Sequence, residues 1–275
     1  MSARTDSQLG RFLALHHIAD YEALCERAAS DPEWFWRAVM EFHHLRFFRP
    51  FDRLLDTSRG PEWARWCTGG TTNIAWNCLD RIIEAGRGEH PAIEWAGESG
   101  ERRTLDYRQL ASLTRHAAAG LSRLGYRDGD VVGLFMPMVP ETIVAYLAIL
   151  SIGAIALPMF SGFGAQAVAE RLADAGAKGV VTADFTLRRG KRIAMLEVIE
   201  EAATSVPTLE HVFVVARDAS PARSWDDGRR RTWDDLIATS DELRPVELPA
   251  EATAMIVYTS GTTGKPKGTV HSHCG

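Results

Sequence analysis

From residue 91 onward, apolar positions alternate between uninterrupted runs and helical spacing. Residues 131–136 and 254–257 are apolar runs of strand length, and further strands are expected at 179–183, at 211–216 and from Ala154. Helical patterns lie between them: 106–124, the stretch after Pro140, 165–175 and 193–203. Residues 92–95 and 102–105 predict a short hairpin around 97–100. Uninterrupted apolar strands are those buried on both faces, and strand–helix alternation implies a parallel sheet with helices on both sides. The expected class is α/β, with mostly parallel sheets flanked by helices and preceded by a helical N-terminal segment.

In that first segment Ser30 is placed to cap a helix, with Glu33 completing a capping box and Pro32 in the first turn. The helix is expected to run through Trp34, Trp36, Val39, Met40 and Phe42 to about residue 48, its aromatics serving as packing. A second helix is expected over 73–85, stopped at Gly86. The expected division is a helical extension, 1–90, and a larger domain, 91–275. Asp106 caps the next helix and Gly125 ends it. Residues 142–160 form nineteen positions without a charge, the length of a membrane span. Gly153 and Pro158 interrupt them, so a buried helix to about 152 followed by a buried strand is the preferred reading. The polar stretch 217–231, with arginines at 229–231, reads as a solvated loop. Thr232 caps a short helix, and 241–251 reads as extended.

The net charge of -5 excludes a generally basic nucleic-acid binder. The four cysteines, Cys25, Cys67, Cys78 and Cys274, have no CxxC spacing and suit reduced thiols in a cytoplasmic protein. The polar first ten residues lack the apolar core of a secretory signal.

The chemistry concentrates after the 254–257 run, in Tyr258, Thr259, Ser260, Gly261, Thr262, Thr263, Gly264, Lys265, Pro266, Lys267 and Gly268. Such a loop offers backbone N–H groups and hydroxyls to an anion, its glycines permit close approach, and its lysines add charge. At the carboxyl end of a parallel strand this is a polyphosphate cradle. It is not a P-loop: two residues rather than four separate Gly261 from Gly264, and Pro266 disfavours a helix through Lys265. His271, His273 and Cys274 lack a suitably spaced fourth metal ligand, and a strand leaving the loop is expected there instead. His16, His17, His43 and His44 read as packing or surface residues, and Cys78 has no evident base partner.

The string from Tyr258 to Gly268 resembles the signature phosphate loop of the adenylate-forming superfamily, which includes acyl-CoA synthetases, luciferases and peptide-synthetase adenylation domains. Upstream, Gly69, Gly70, Asn73 and the run from Asn77 to Arg81 resemble the N-terminal region of AMP-forming acetyl-CoA synthetases. So do Pro137-Met138, Pro140-Glu141, Phe160-Ser161-Gly162-Phe163 and Asp174-Ala175-Gly176-Ala177-Lys178. The resemblance covers about residues 30–275 and implies the first part of an adenylate-forming domain.

It also implies an acid–CoA ligase using ATP, Mg²⁺ and coenzyme A. A carboxylate, probed first as acetate or propionate, attacks the α-phosphate to give acyl-AMP, which CoA then cleaves. Thr259, Ser260, Gly261, Thr262, Thr263, Gly264 and Lys265 would hold the leaving phosphates, with Lys265 in the catalytic role. Phe163, Gly164, Arg188 and Lys191 would contact CoA. The 182–191 segment departs from the family in carrying Phe185 and Thr186 where an acidic residue and glycine are common, and Lys191 where arginine is common. The family's acyl pocket, adenine and ribose contacts and C-terminal domain follow this loop, so a truncated chain, inactive by itself, is expected. The alternatives are a noncatalytic ATP/CoA-binding fragment and an adenylation domain serving a carrier protein.

Overall fold

A computed structural model describes residues 7–218, 228–259 and 266–275. The chain divides into two units, Met1–Gly70 and Thr71–Gly275.

The first unit holds α1 (Gln8–Leu15), α2 (Tyr21–Ser30) and α3 (Pro32–Phe42), followed by the antiparallel pair β1 (Arg53–Asp56) and β2 (Arg65–Thr68). Its core joins Phe12, Leu13, Leu24 and Ala38, with Trp34, Phe35 and Phe42 packed against them. The expected Ser30 cap is corrected. Ser30 ends α2 and its hydroxyl donates to the Arg27 carbonyl, while Asp31 caps α3 by accepting from the Trp34 N–H. Pro32 takes the first helical position, which places Asp31 rather than Ser30 at the cap. The helix also stops at Phe42 rather than near 48, because His44 takes a left-handed φ of 53°.

The second unit opens with β3 (Thr71–Thr72), α4 (Ile74–Cys78) and α5 (Asp80–Ile82). The single helix expected over 73–85 is thus broken. Leu79 distorts the helical geometry at φ -116°, and Gly86, at a φ of 77°, stops the run as expected. The hairpin β4 (Pro91–Ala96) and β5 (Arg102–Asp106) follows as expected. Asp106 and Gln109 form a reciprocal capping box on α6 (Tyr107–Arg123).

Then come β6 (Val131–Phe135), α7 (Pro140–Ser151), β7 (Ile155–Pro158), α8 (Ala165–Asp174) and β8 (Gly179–Ala183). The uncharged stretch resolves into α7 and β7, separated at Gly153, whose φ of 78° needs glycine. No helix among the described residues is long and apolar enough to cross a membrane.

The next segment holds a pair the sequence reading missed: β9 (Phe185–Arg188) and β10 (Lys191–Ala194) form an antiparallel hairpin. Ile193, expected in a helix, lies in β10, and α9 begins at Leu196 (Leu196–Ala203). β11 (His211–Val215) pairs in parallel with β12 (Arg230–Thr232), so part of the arginine run is an edge strand rather than loop. Thr232 caps α10 (Trp233–Ile237) as expected. Finally β13 (Leu248–Pro249) pairs with β3, and β14 (Thr253–Thr259) leads to β15 (Lys267–Ser272).

The main sheet has the order β12-β11-β8-β6-β7-β14-β15, parallel except for β15. α6 packs on α7 and α10, and α8 packs on α9. The chain runs outward from β6 to β7, then turns back across β6 to β8 and β11. With right-handed crossovers, that reversal sets α7 and the α8–α9 pair on opposite faces. The loops after β6 and β7 therefore diverge, and a crevice opens between them at the carboxyl edge. Phe135, Ile149, Leu157, Leu172, Ile199 and Phe213 are fully buried in this core.

Candidate functional site

The carboxyl edge gathers three segments. One is β14, whose last residue, Thr259, lies opposite Lys267 in the antiparallel ladder with β15. The glycine-rich string therefore leaves and rejoins the sheet at one place, beside β7, where Met255 registers with Ala156. Of its predicted phosphate contacts, Thr259 is exposed at the strand end, whereas Ser260, Gly261, Thr262, Thr263, Gly264 and Lys265 lie outside the described residues.

Tyr258, one residue before the string, is anchored to α8. Its hydroxyl donates to Asp174, and its ring lies 5.7 Å from the Arg171 guanidinium. Burial and the Asp174 carboxylate both push the Tyr258 hydroxyl well above the usual phenol range, which keeps it a neutral donor. Arg171 is largely buried, donates to the Ala167 carbonyl at 2.6 Å, and covers the Phe163 ring at 4.3 Å.

Phe163 belongs to the second segment, the loop after β7. It meets Phe160 edge-on with centroids 5.6 Å apart. Gly164 occupies the cap position of α8 with open space where a side chain would stand. Arg171 thus bridges two segments that sequence reading treated as separate sites: the strand leading into the glycine-rich string, and the Phe163 loop.

The third segment is the β9–β10 hairpin. Arg188 and Lys191 are direct partners across it, and both are exposed. The Arg188 guanidinium lies 5.6 Å over the Phe160 ring. Phe163, Gly164, Arg188 and Lys191 therefore share one surface region through Phe160. At the base of the hairpin the Asp184 carboxylate accepts from the N–H groups of Phe185 and Arg217.

Sequence reasoning gave no role to Arg171 or to the Asp174 carboxylate. It also missed Glu98, which meets the tip of this hairpin. The one available signal was the dense basic run 188–192, which needs an acidic counterpart somewhere in the fold.

Away from this edge, His273 is buried and its Nδ1 accepts from the Ile74 N–H at 3.1 Å. It helps satisfy the N-terminus of α4. Among the described residues, no group of three or more His, Cys, Asp or Glu side chains is placed to hold a metal ion.

Comparison with known proteins places this geometry. The family model "AMP-binding enzyme" matches residues 81–275, and "Acetyl-coenzyme A synthetase N-terminus" matches residues 21–78. The chain is 41% identical over 255 residues to an acetyl-coenzyme A synthetase of Deinococcus radiodurans, covering 92% of this chain and 39% of that relative. It is 42% identical over 251 residues to an acetyl-coenzyme A synthetase of Streptomyces coelicolor, covering 91% and 38%. The solved structure of acetoacetyl-CoA synthetase from Streptomyces lividans superposes with a TM-score of 0.86 at 28% identity, over 98% of this chain and 42% of that one. The chain thus spans about two-fifths of the length of the curated relatives it matches. The glycine-rich string at the carboxyl end of β14, the reversing parallel sheet and the family match over 81–275 lead to one conclusion: the chain belongs to the AMP-binding enzyme family.

Proposed function

We propose that this chain supplies the ATP-phosphate cradle and the CoA-facing surface of an AMP-forming acid–CoA ligase. The observation that carries the proposal is the family match over 81–275, which ends in a Gly-, Ser- and Thr-rich string leaving β14 beside the sheet reversal. The reaction sets an anionic carboxylate against a polyanion, so catalysis rests on offsetting charge. In this reading Thr259, Ser260, Gly261, Thr262, Thr263, Gly264 and Lys265 hold the phosphates that leave. Lys265 acts on the charge that develops there, and Mg²⁺ arrives with ATP and shares that work. Phe163, Gly164, Arg188 and Lys191 receive the nucleotide end of CoA. A short-chain acid, acetate or propionate, is the substrate to try first, because the relatives named above are acetyl-coenzyme A synthetases. None of the four cysteines forms a disulfide, which fits a reducing cytoplasm.

Calorimetric titration of the 275-residue chain with pyrophosphate and with MgATP tests the cradle. Lys265→Ala is expected to weaken both by at least about tenfold, the scale of one lost charge-assisted contact. Equal affinities would overturn the assignment. The reaction is tested in a chimera in which these residues replace their counterparts in the Deinococcus enzyme. Acid-dependent release of a thioester with free CoA is expected, and its absence in a folded chimera would overturn the ligase reading.

A further inference from the structure

Two successive residues at the tip of the β9–β10 hairpin, Arg189 and Gly190, have positive φ values of 53° and 71°. Positive φ at both central residues is the type I′ geometry of a two-residue hairpin turn, and it leaves both N–H groups outside the strand ladder. An anion already sits against them. Glu98, on the turn between β4 and β5, accepts from the Arg189 N–H through Oε1 at 3.2 Å and from the Gly190 N–H through Oε2 at 3.1 Å. One carboxylate oxygen meets each amide, the two-point pattern that a phosphate also offers.

The charge around the tip is unbalanced. Arg192 is committed, paired to Asp218 and stacked 3.6 Å over the Phe185 ring. Among the described residues no ion pair involves Arg188, Arg189 or Lys191. The hairpin end thus carries three cationic residues, and Glu98 is the carboxylate bonded to its amides. A phosphate monoester carries nearly twice the charge of that carboxylate and more acceptor oxygens. Glu98 itself is exposed, on a turn flanked by Gly97 and Gly100, so it can swing clear without moving either strand.

We propose that the paired amides of Arg189 and Gly190 form a phosphate subsite, and that Glu98 occupies it in the ligand-free protein as an internal competitor. The proposal rests on the reading of Arg188 and Lys191 as CoA contacts, and it adds the backbone atoms that hold the phosphate and the group that must leave. Glu98 keeps the tip ordered while it is empty and raises the ligand concentration needed to fill it.

The probe is adenosine 3′,5′-bisphosphate, the nucleotide end of CoA, titrated calorimetrically into the 275-residue chain and into Glu98→Ala and Glu98→Gln. Amide NMR of Arg189 and Gly190 reports on the subsite directly, and circular dichroism checks that each variant is folded. Both variants are expected to bind about three- to tenfold more tightly than the parent. That is the scale of removing one exposed like charge a few ångströms from a phosphate. The two amide resonances should move on ligand addition in all three proteins. If the parent binds and the variants bind equally or more weakly, Glu98 is a strut and the competitor proposal falls, while the CoA reading stands. If neither parent nor variants bind, the CoA reading of the hairpin and the proposal fall together.

Discussion

Gly133, at the middle of the fully buried strand β6, is a position where one added methyl group is expected to be costly for its size. A Cβ built there would stand 2.7 Å from Leu172 Cδ2, 3.1 Å from Met159 Cε and 3.1 Å from Val180 Cγ2. Ordinary carbon contacts are about 3.5–4.0 Å, so Leu172, which is fully buried, has to retreat by roughly 1 Å. Gly133→Ala is therefore expected to destabilise by about 1–3 kcal/mol. At about 2–4 °C per kcal/mol for a unit of this size, the midpoint should fall by about 2–12 °C. Leu172→Ala alone empties a buried site and is expected to cost about 2–5 kcal/mol. The double variant discriminates, because the new methyl then enters the space that Leu172 vacates. Its loss should be smaller than the sum of the single losses by about 1–2 kcal/mol. Urea unfolding of the four proteins, followed by circular dichroism, measures this. A Gly133→Ala variant within about 0.5 kcal/mol of the parent, or strict additivity in the double variant, would refute the close-packing argument.

Burial holds the His273 imidazole down at about 4, well below the usual histidine value, so the folded protein keeps it neutral. Its contribution is fully present above pH 6.5 and is lost as pH falls from there toward 4; over that window the parent should lose up to about 3 kcal/mol more than His273→Asn in unfolding titrations, and parallel pH profiles would contradict this. Asp80, buried, binds Arg115 at 2.7 Å, and Glu242 meets the same guanidinium at 3.3 Å. Asp80→Ala strands a partly buried cation that Glu242 still shares, so a loss of about 2–3 kcal/mol is expected, somewhat below that for a fully orphaned pair; a urea midpoint equal to that of the parent would exclude this role for Asp80.

What the sequence made legible was local. The capping box at Asp106, the hairpin closed over 97–100, the cap at Thr232 and the break at Gly153 each depend on residues within a few positions of one another. The apolar runs marked the parallel strands because burial on both faces removes polar residues from them. The β9–β10 hairpin was missed for the opposite reason. Its strands are four residues each, and its supports, Glu98 at the tip and the Asp184 contact to Arg217, are 91 and 33 positions away. In the candidate site, composition alone exposed the glycine-rich string. The Tyr258–Asp174 link spans 84 positions and leaves no periodic trace.

The order of the sheet explains why distant residues govern the candidate site. After β7 the chain crosses β6, builds β8, β11 and β12, and only then returns to place β14 beside β7. Thr259 and Lys267, the anchors of the glycine-rich string, are therefore set by the β7–α8 unit rather than by their sequence neighbours. β7 supplies the register through Ala156, and α8 supplies Asp174 to the Tyr258 hydroxyl and Arg171 to its ring. The same helix presents Leu172 to Gly133, one position from Arg171. A methyl at Gly133 pushes on α8 from beneath, so its effect should extend beyond stability to the hold on Tyr258. Gly133→Ala is accordingly expected to weaken pyrophosphate binding about two- to fivefold even at temperatures where the variant is fully folded, a shift of under about 1 kcal/mol. Leu172→Ala in the same background should restore part of that loss. Unchanged pyrophosphate affinity in a demonstrably destabilised Gly133→Ala variant would show that α8 does not position the string.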